Sequence, residues 1–213
     1  MNKPISRGDA TRGELKRAAR RLFATRGIAA VGMREIVGAA GQRNAAAVHY
    51  YFGSKDDLLR ELLVDGAKSI DEVRQALLDE AEADGPIRFE DVMRAFVLPG
   101  LDIVGDTGES ETYLRFIGNL QRERRDLFDE TVRGKFSEGY ERCLNHFRHF
   151  LKDEPLADVN RRLLFAGISM QSILEAREAA LDASDTGDHR FWSQPDMVDK
   201  LQKSIEAIII GRS

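Results

Sequence analysis

Cysteine is almost missing from this 213-residue chain, and the one present, Cys143, excludes an intrachain disulfide and fits a reducing compartment. No run of about 18 apolar residues occurs, so no membrane span and no membrane partner are expected. Met1-Asn2-Lys3-Pro4 offers no apolar signal core, which makes the cytoplasm the expected location. There is no Gly-rich phosphate loop, no Gly-x-Ser-x-Gly, no paired Cys motif and no His-Glu-x-x-His, so neither enzymatic activity nor a cofactor is expected. Cys143, His146 and His149 invite a metal reading, but on a helix the first and last stand about 9 Å apart along the axis, too far for one tetrahedral ion. No alternating strand pattern and no internal repeat is present, which leaves helices.

The net charge of -4 hides a division: residues 1–55 hold 11 Lys/Arg against 3 Asp/Glu, and residues 56–213 hold 21 against 33. Such asymmetry points to a basic module for nucleic acid joined to an acidic module with another task. A merely solvated basic face on the first helix is the plainer reading of charge alone. That helix is predicted to begin at a Thr11-x-x-Glu14 capping box, to bury Leu15, Ala18, Ala19, Leu22 and Phe23, and to stop at Gly27. A second covers Met33–Ala40 with Gly32 at its N-cap, a third Ala45–Tyr51, and a fourth runs from the Ser54/Asp57 cap to about Glu82, about 42 Å in length. Gly85-Pro86 closes it. Further helices are predicted over 89–104, kinked at Pro99-Gly100, and over 109–120, 123–151, 156–181 and 195–210.

The most informative stretch is residues 41–57, GQRNAAAVHYYFGSKDD: an Ala-rich short helix, three adjacent aromatic hydrogen-bonders, then a capped helix start. With Met33-Arg34-Glu35-Ile36-Val37 before it and Leu58-Leu59 after it, this stretch resembles the recognition signature of the tetracycline-repressor (TetR) family. The matching residues are His49, Tyr50, Tyr51, Phe52, Ser54, Lys55, Asp57, Leu58 and Leu59. Between Gly41 and Phe52 there is one residue more than the commonest family spacing, which lengthens the turn at Gln42, Arg43 and Asn44. The resemblance implies an all-α protein with a three-helix helix-turn-helix DNA-binding domain over 1–55 and a helical effector-binding and dimerisation domain over 56–213. It further implies a ligand-responsive repressor, dimeric on a palindromic operator in double-stranded DNA and released by a small, largely apolar effector. A helical small-molecule-binding protein or enzyme that keeps the fold without binding DNA is the alternative.

Chemistry and resemblance together name the DNA-facing set as Arg34, Arg43, Asn44, Ala45, Ala46, His49, Tyr50, Tyr51 and Lys55: side chains that donate to base edges or phosphates, and alanines that let backbone approach the bases. Three adjacent aromatics cannot share one helical face, so at least one of His49, Tyr50 and Tyr51 is expected in the core. In the acidic module, Phe128, Val132, Phe136, Tyr140, Cys143, Phe147 and Phe150 form one stripe on the predicted helix 123–151. A stripe at that spacing reads as core or as one wall of a pocket. The pocket reading takes Met93, Phe96, Val97, Tyr113, Arg115, Phe136 and Tyr140 as the effector set. For a homodimer, Ala166, Gly167, Met170, Ile173, Leu174, Leu201, Ile205 and Ile208 are the expected four-helix interface.

Overall fold

Helix follows helix through the computed structural model, which describes residues 7–43, 47–101, 112–132, 135–184 and 188–211. In chain order they are α1 (Arg7–Arg26), α2 (Met33–Ala39), α3 (Ala47–Phe52), α4 (Lys55–Ala83), α5 (Phe89–Val97), α6 (Tyr113–Glu123), α7 (Arg125–Val132), α8 (Glu138–Phe150), α9 (Leu156–Asp182) and α10 (Met197–Ile210). No strand occurs among the described residues, and the fold is all-α. The chain forms two compact units: residues 1–66 with 115–133, and residues 67–114 with 134–213. The first therefore extends beyond residue 55 and recruits a distant segment.

The first unit is built on the apolar stripe of α1. Leu15, Ala19 and Phe23 are fully buried with Ile28, Val31, Ile36, Val48, Leu58 and Leu59. Phe116, Leu120 and Leu127 from the 115–133 segment complete that core, and the Phe23 and Phe116 rings stand 6.1 Å apart. Polar contacts fix the same segment at the end of α1. Asn119 Nδ2 donates to the Phe23 and Ala24 carbonyls at 2.8 and 3.1 Å, in the last turn of α1, where the Phe23 carbonyl also accepts the Gly27 N–H. Glu123 accepts the Ile28 and Ala29 N–H groups at 3.1 and 2.7 Å. Between them Gly27 takes φ +85°, and a Cβ there would lie 2.6 Å from the Glu123 carboxylate, so only glycine turns the chain at this place.

In the second unit α5 lies against α8 and α10, and α9 against α10. Phe96 and Phe147 are fully buried in edge-to-face contact at 5.6 Å, and Phe89 lies 5.2 Å from Phe147. The predicted kink at Pro99-Gly100 is a short 3-10 turn that ends α5, and a Cβ on Gly100 would sit 2.7 Å from Leu174 Cδ1.

Three sequence expectations are corrected. Helix α1 begins at Arg7, with Thr11 inside it and Asp9 in its first turn; the Glu14 carboxylate accepts Gln42 Nε2 at 2.9 Å. The helix expected over 123–151 is two helices: α6 ends at Glu123, α7 covers Arg125–Val132, and α8 starts after Phe136, which has φ +55°. Asp71 accepts the Gly139 N–H in the first turn of α8 at 2.9 Å, so a side chain from α4 helps to define the new start. Phe128 and Tyr140 consequently lie in different units. Finally, much of the expected dimer set is interior to one chain: Ala166, Leu174, Leu201 and Ile205 are at most 5% exposed in the core that α9 and α10 share. Gly167, Met170, Ile173 and Ile208 are half-buried. The open apolar face of α9 carries Leu164, Phe165 and Ile168, each more than half exposed.

Candidate nucleic-acid interface

Helix α2 starts at Gly32, whose N–H donates to Glu35 Oε2 at 2.9 Å; that bond and Arg26 hold the Glu35 carboxyl below the usual range. It ends where Gly41, at φ +66°, lets the Gln42 N–H reach back to the Val37 carbonyl at 3.0 Å, a left-handed helix stop. Helix α3 follows, six residues or about 9 Å long, within a major groove about 12 Å wide. Val48 and Phe52, one turn apart, are buried and seat it on the domain. The next helix begins with a reciprocal cap: the Asp57 N–H donates to Ser54 Oγ at 3.1 Å and the hydroxyl donates to Asp57 Oδ2.

Charge pairing sorts the basic residues of this unit. Arg12 and Lys16 of α1 are engaged by Glu61, Lys16 also by Asp65, and Arg26 by Glu35 at 2.7 Å. Arg34 on α2 and Arg43 in the turn are exposed and have no protein partner among the described residues. Both guanidiniums are open to an outside acceptor.

The aromatics divide in the same way. Tyr50 is 82% exposed, and its ring meets Tyr51 edge-on at 5.1 Å. Tyr51 is half-buried against Phe52, at 6.4 Å, so it is the one that turns partly inward. His49 is exposed; its Nδ1 donates to the Gly53 carbonyl at 2.8 Å, which leaves Nε2 for another partner. Asn44, Ala45 and Ala46 of the expected set lie outside the described residues.

Lys55 has a different environment from that expected of a phosphate contact. Its ammonium donates to the Ile28 and Val31 carbonyls and lies 5.5 Å from the centre of the Phe23 ring. Burial lowers its pKa, partly offset by Glu123. Two of three N–H donors are thus used in holding the α1–α2 loop to the start of α4.

The expected effector residues are also distributed differently. Met93, Phe96 and Val97 are buried in the second unit's core, where Phe96 stacks on Tyr140 at 5.5 Å. Tyr113 is buried, and the next residue, Leu114, donates its N–H to Glu178 at 3.1 Å. Phe136 is a half-buried turn residue, and Arg115 belongs to the first unit. A cavity of about 270 Å³ lies at α9, α10 and the segment before α10, lined by Ile173, Phe191, Trp192, Met197, Lys200 and Leu201, which the sequence did not single out as a pocket. The adjacent pair Phe191-Trp192 in a loop was the available signal.

Residues 15–62 match the family profile of bacterial regulatory proteins, tetR family. None of the curated proteins compared matches the chain in sequence. Among solved structures, PfmR, a TetR-family transcriptional regulator from Thermus thermophilus, superposes with a TM-score of 0.57 at 16% identity, over 93% of this chain and 98% of that one. GusR of Salmonella enterica superposes with a TM-score of 0.52 at 15% identity, over 98% of this chain and 100% of its own. At such identities the superpositions speak for the fold, and the local profile speaks for the recognition segment. Through residues 15–62 the chain is similar in sequence to bacterial regulatory proteins of the tetR family, and through its fold to solved structures of such regulators.

Proposed function

We propose that this protein is a DNA-binding transcriptional regulator: a homodimeric repressor that leaves a palindromic operator when a small, largely apolar effector binds its second unit. The observation that carries the DNA reading is the sorting of charges around α3. The helix is seated by Val48 and Phe52, while Arg34, Arg43, His49 and Tyr50 remain exposed beside it and Arg12, Lys16 and Arg26 of α1 are paired inside the unit. Two such helices related by a twofold axis favour half-sites about 34 Å apart, or a multiple of that. The exposed Leu164, Phe165 and Ile168 of α9 supply the self-complementary face that a twofold dimer needs.

Release by a ligand requires that the ligand bind the DNA-incompetent state better. Typical coupling of about 1 to 3 kcal/mol changes operator affinity roughly 5- to 150-fold. The test is a gel shift with DNA from upstream of the protein's own gene, followed by footprinting. Protection of two symmetric half-sites, lost in the double variant Arg34→Ala/Arg43→Ala, is the expected result. No binding at low salt by a correctly folded dimer would overturn the reading.

A further inference from the structure

Arg74, on α4, is a cation placed in the core of the second unit with 6% of its surface exposed. Its Nε donates to the Ala95 carbonyl on α5 at 3.1 Å, and its guanidinium carbon lies 5.6 Å from the centre of the Tyr140 ring on α8. A guanidinium has five N–H donors, and this is the one bond it makes among the described residues. The buried acid nearest in sequence, Asp71, is turned elsewhere: it accepts the Gly139 N–H at 2.9 Å and Gln75 Nε2 at 2.7 Å. Asp71 offsets part of the charge of Arg74 through space, yet no carboxylate among the described residues forms an ion pair with it. Four of its five donors are therefore free to meet a further acceptor.

Tyr140 stands beside it in a comparable condition. The residue is half-buried, its ring stacked on Phe96 at 5.5 Å, and its hydroxyl makes no hydrogen bond among the described residues. That hydroxyl lies 2.8 Å from where a Cβ on Gly167 would be, so the glycine of α9 makes its position possible. Burial pushes the Tyr140 phenol up, which keeps it a neutral donor, and pushes the Cys143 thiol up to about 12, which keeps that neighbour an uncharged wall. The grip of Asp71 on Gly139 fixes the backbone one residue before Tyr140. Unused donors from α4 and α8 therefore meet beside an aromatic wall.

We infer that Arg74 and Tyr140 anchor the carboxylate of an otherwise apolar small molecule, with the guanidinium bonding both oxygens and the phenol bonding one. A carboxylate is the acceptor that matches the planar guanidinium at two points. The inference rests on the ligand-responsive reading above and narrows its effector from apolar to apolar with an acid head.

The test uses the full-length chain and calorimetric titration with benzoate and octanoate, set against the uncharged benzamide and octanol. The acids are expected to bind saturably, at least about tenfold more tightly than their neutral counterparts, with a similar loss in Arg74→Met and a smaller loss in Tyr140→Phe. Tyr140→Phe keeps the stacked ring and serves as the deciding variant if Arg74→Met does not fold. Equal affinity for acid and neutral probes, unchanged acid binding in Tyr140→Phe, or no saturable binding of either acid at millimolar concentration overturns the inference. So does loss on Trp192→Phe alone, which would place binding in the cavity of α9 and α10. Gel shifts on the same preparations separate the two readings. Acid binding that leaves the DNA complex unchanged supports the carboxylate site and counts against ligand-controlled release; DNA binding without acid binding supports the DNA reading and overturns the carboxylate site.

Discussion

Arg124 holds Asp56 at two points, Nη1 to Oδ1 at 2.8 Å and Nη2 to Oδ2 at 3.0 Å, and so ties the residue between α6 and α7 to the first turn of α4 within the first unit. The pair holds the Asp56 carboxyl below its ordinary range and raises the arginine further above its own. An acid with a depressed folded pKa contributes stability that is present above its unfolded value, near pH 4, and lost as pH falls through the folded one. With the carboxylate side chain 40% exposed, the contribution is expected to be about 1 kcal/mol or less. Urea unfolding of wild type and Asp56→Asn should show this difference at pH 7 and its disappearance by about pH 2 to 3. No difference at pH 7, or one that grows on acidification, would contradict this assignment.

Removing Glu123 should be felt more. Glu123→Ala leaves the Ile28 and Ala29 N–H groups without their acceptor, at an expected cost of about 1 to 3 kcal/mol. Glu123→Gln, which keeps one carbonyl oxygen, should fall between. Amide exchange at Ile28 and Ala29 provides the local check: both should exchange faster in the alanine variant, and unchanged rates would contradict the assignment.

On DNA, the free and the engaged cations should behave oppositely. Arg34→Ala and Arg43→Ala are expected to weaken operator binding by about 1 to 3 kcal/mol each where they read a base, or to lower the salt slope by about one where they contact phosphate. Lys55→Met should instead lower the unfolding midpoint, since its ammonium holds the Ile28 and Val31 carbonyls. Anisotropy titrations over a range of KCl, paired with thermal melts, decide the matter. A Lys55→Met protein of normal stability whose salt slope alone has dropped would restore lysine to the phosphate contacts.

Assembly has its own contrast. Charge at the exposed α9 face, as in Phe165→Glu or Ile168→Glu, should give folded monomers, whereas Leu174→Glu or Ile205→Glu should disrupt the subunit itself by burying an unpaired carboxylate. Light scattering with far-ultraviolet circular dichroism reads both. A normal dimer from Phe165→Glu and Ile168→Glu alike would move the interface elsewhere.

What could be read from the sequence was local. Gly32 with Glu35, Gly41, and Ser54 with Asp57 are caps whose chemistry is complete within four residues, and the structure uses each of them. Thr11 and Glu14 have the same spacing, but that spacing also occurs inside helices, and α1 simply starts earlier. The stripe from Phe128 to Phe150 keeps its helical period across the turn at Phe136, so periodicity gave no sign of a break that involves the distant Asp71. An apolar stripe likewise does not say what covers it. Ala166 and Leu174 were as apolar as an interface requires, yet they belong to the core of their own chain. Which bases are free was hidden for a similar reason, because Glu61 and Asp65 lie 45 or more residues from the α1 side chains they neutralise.

The recruitment of residues 115–133 into the first unit sets an order of events during synthesis. Phe116, Leu120 and Glu123 emerge from the ribosome about 50 residues after Gly66, roughly 3 to 10 s later at 5 to 20 residues per second. Until then α1 has its Phe23 face uncovered and the N–H groups of Ile28 and Ala29 open to water. The nascent N-terminal residues should therefore be a ligand for chaperones that bind exposed aromatic surface, and should become competent for DNA only when residues 115–133 have been translated.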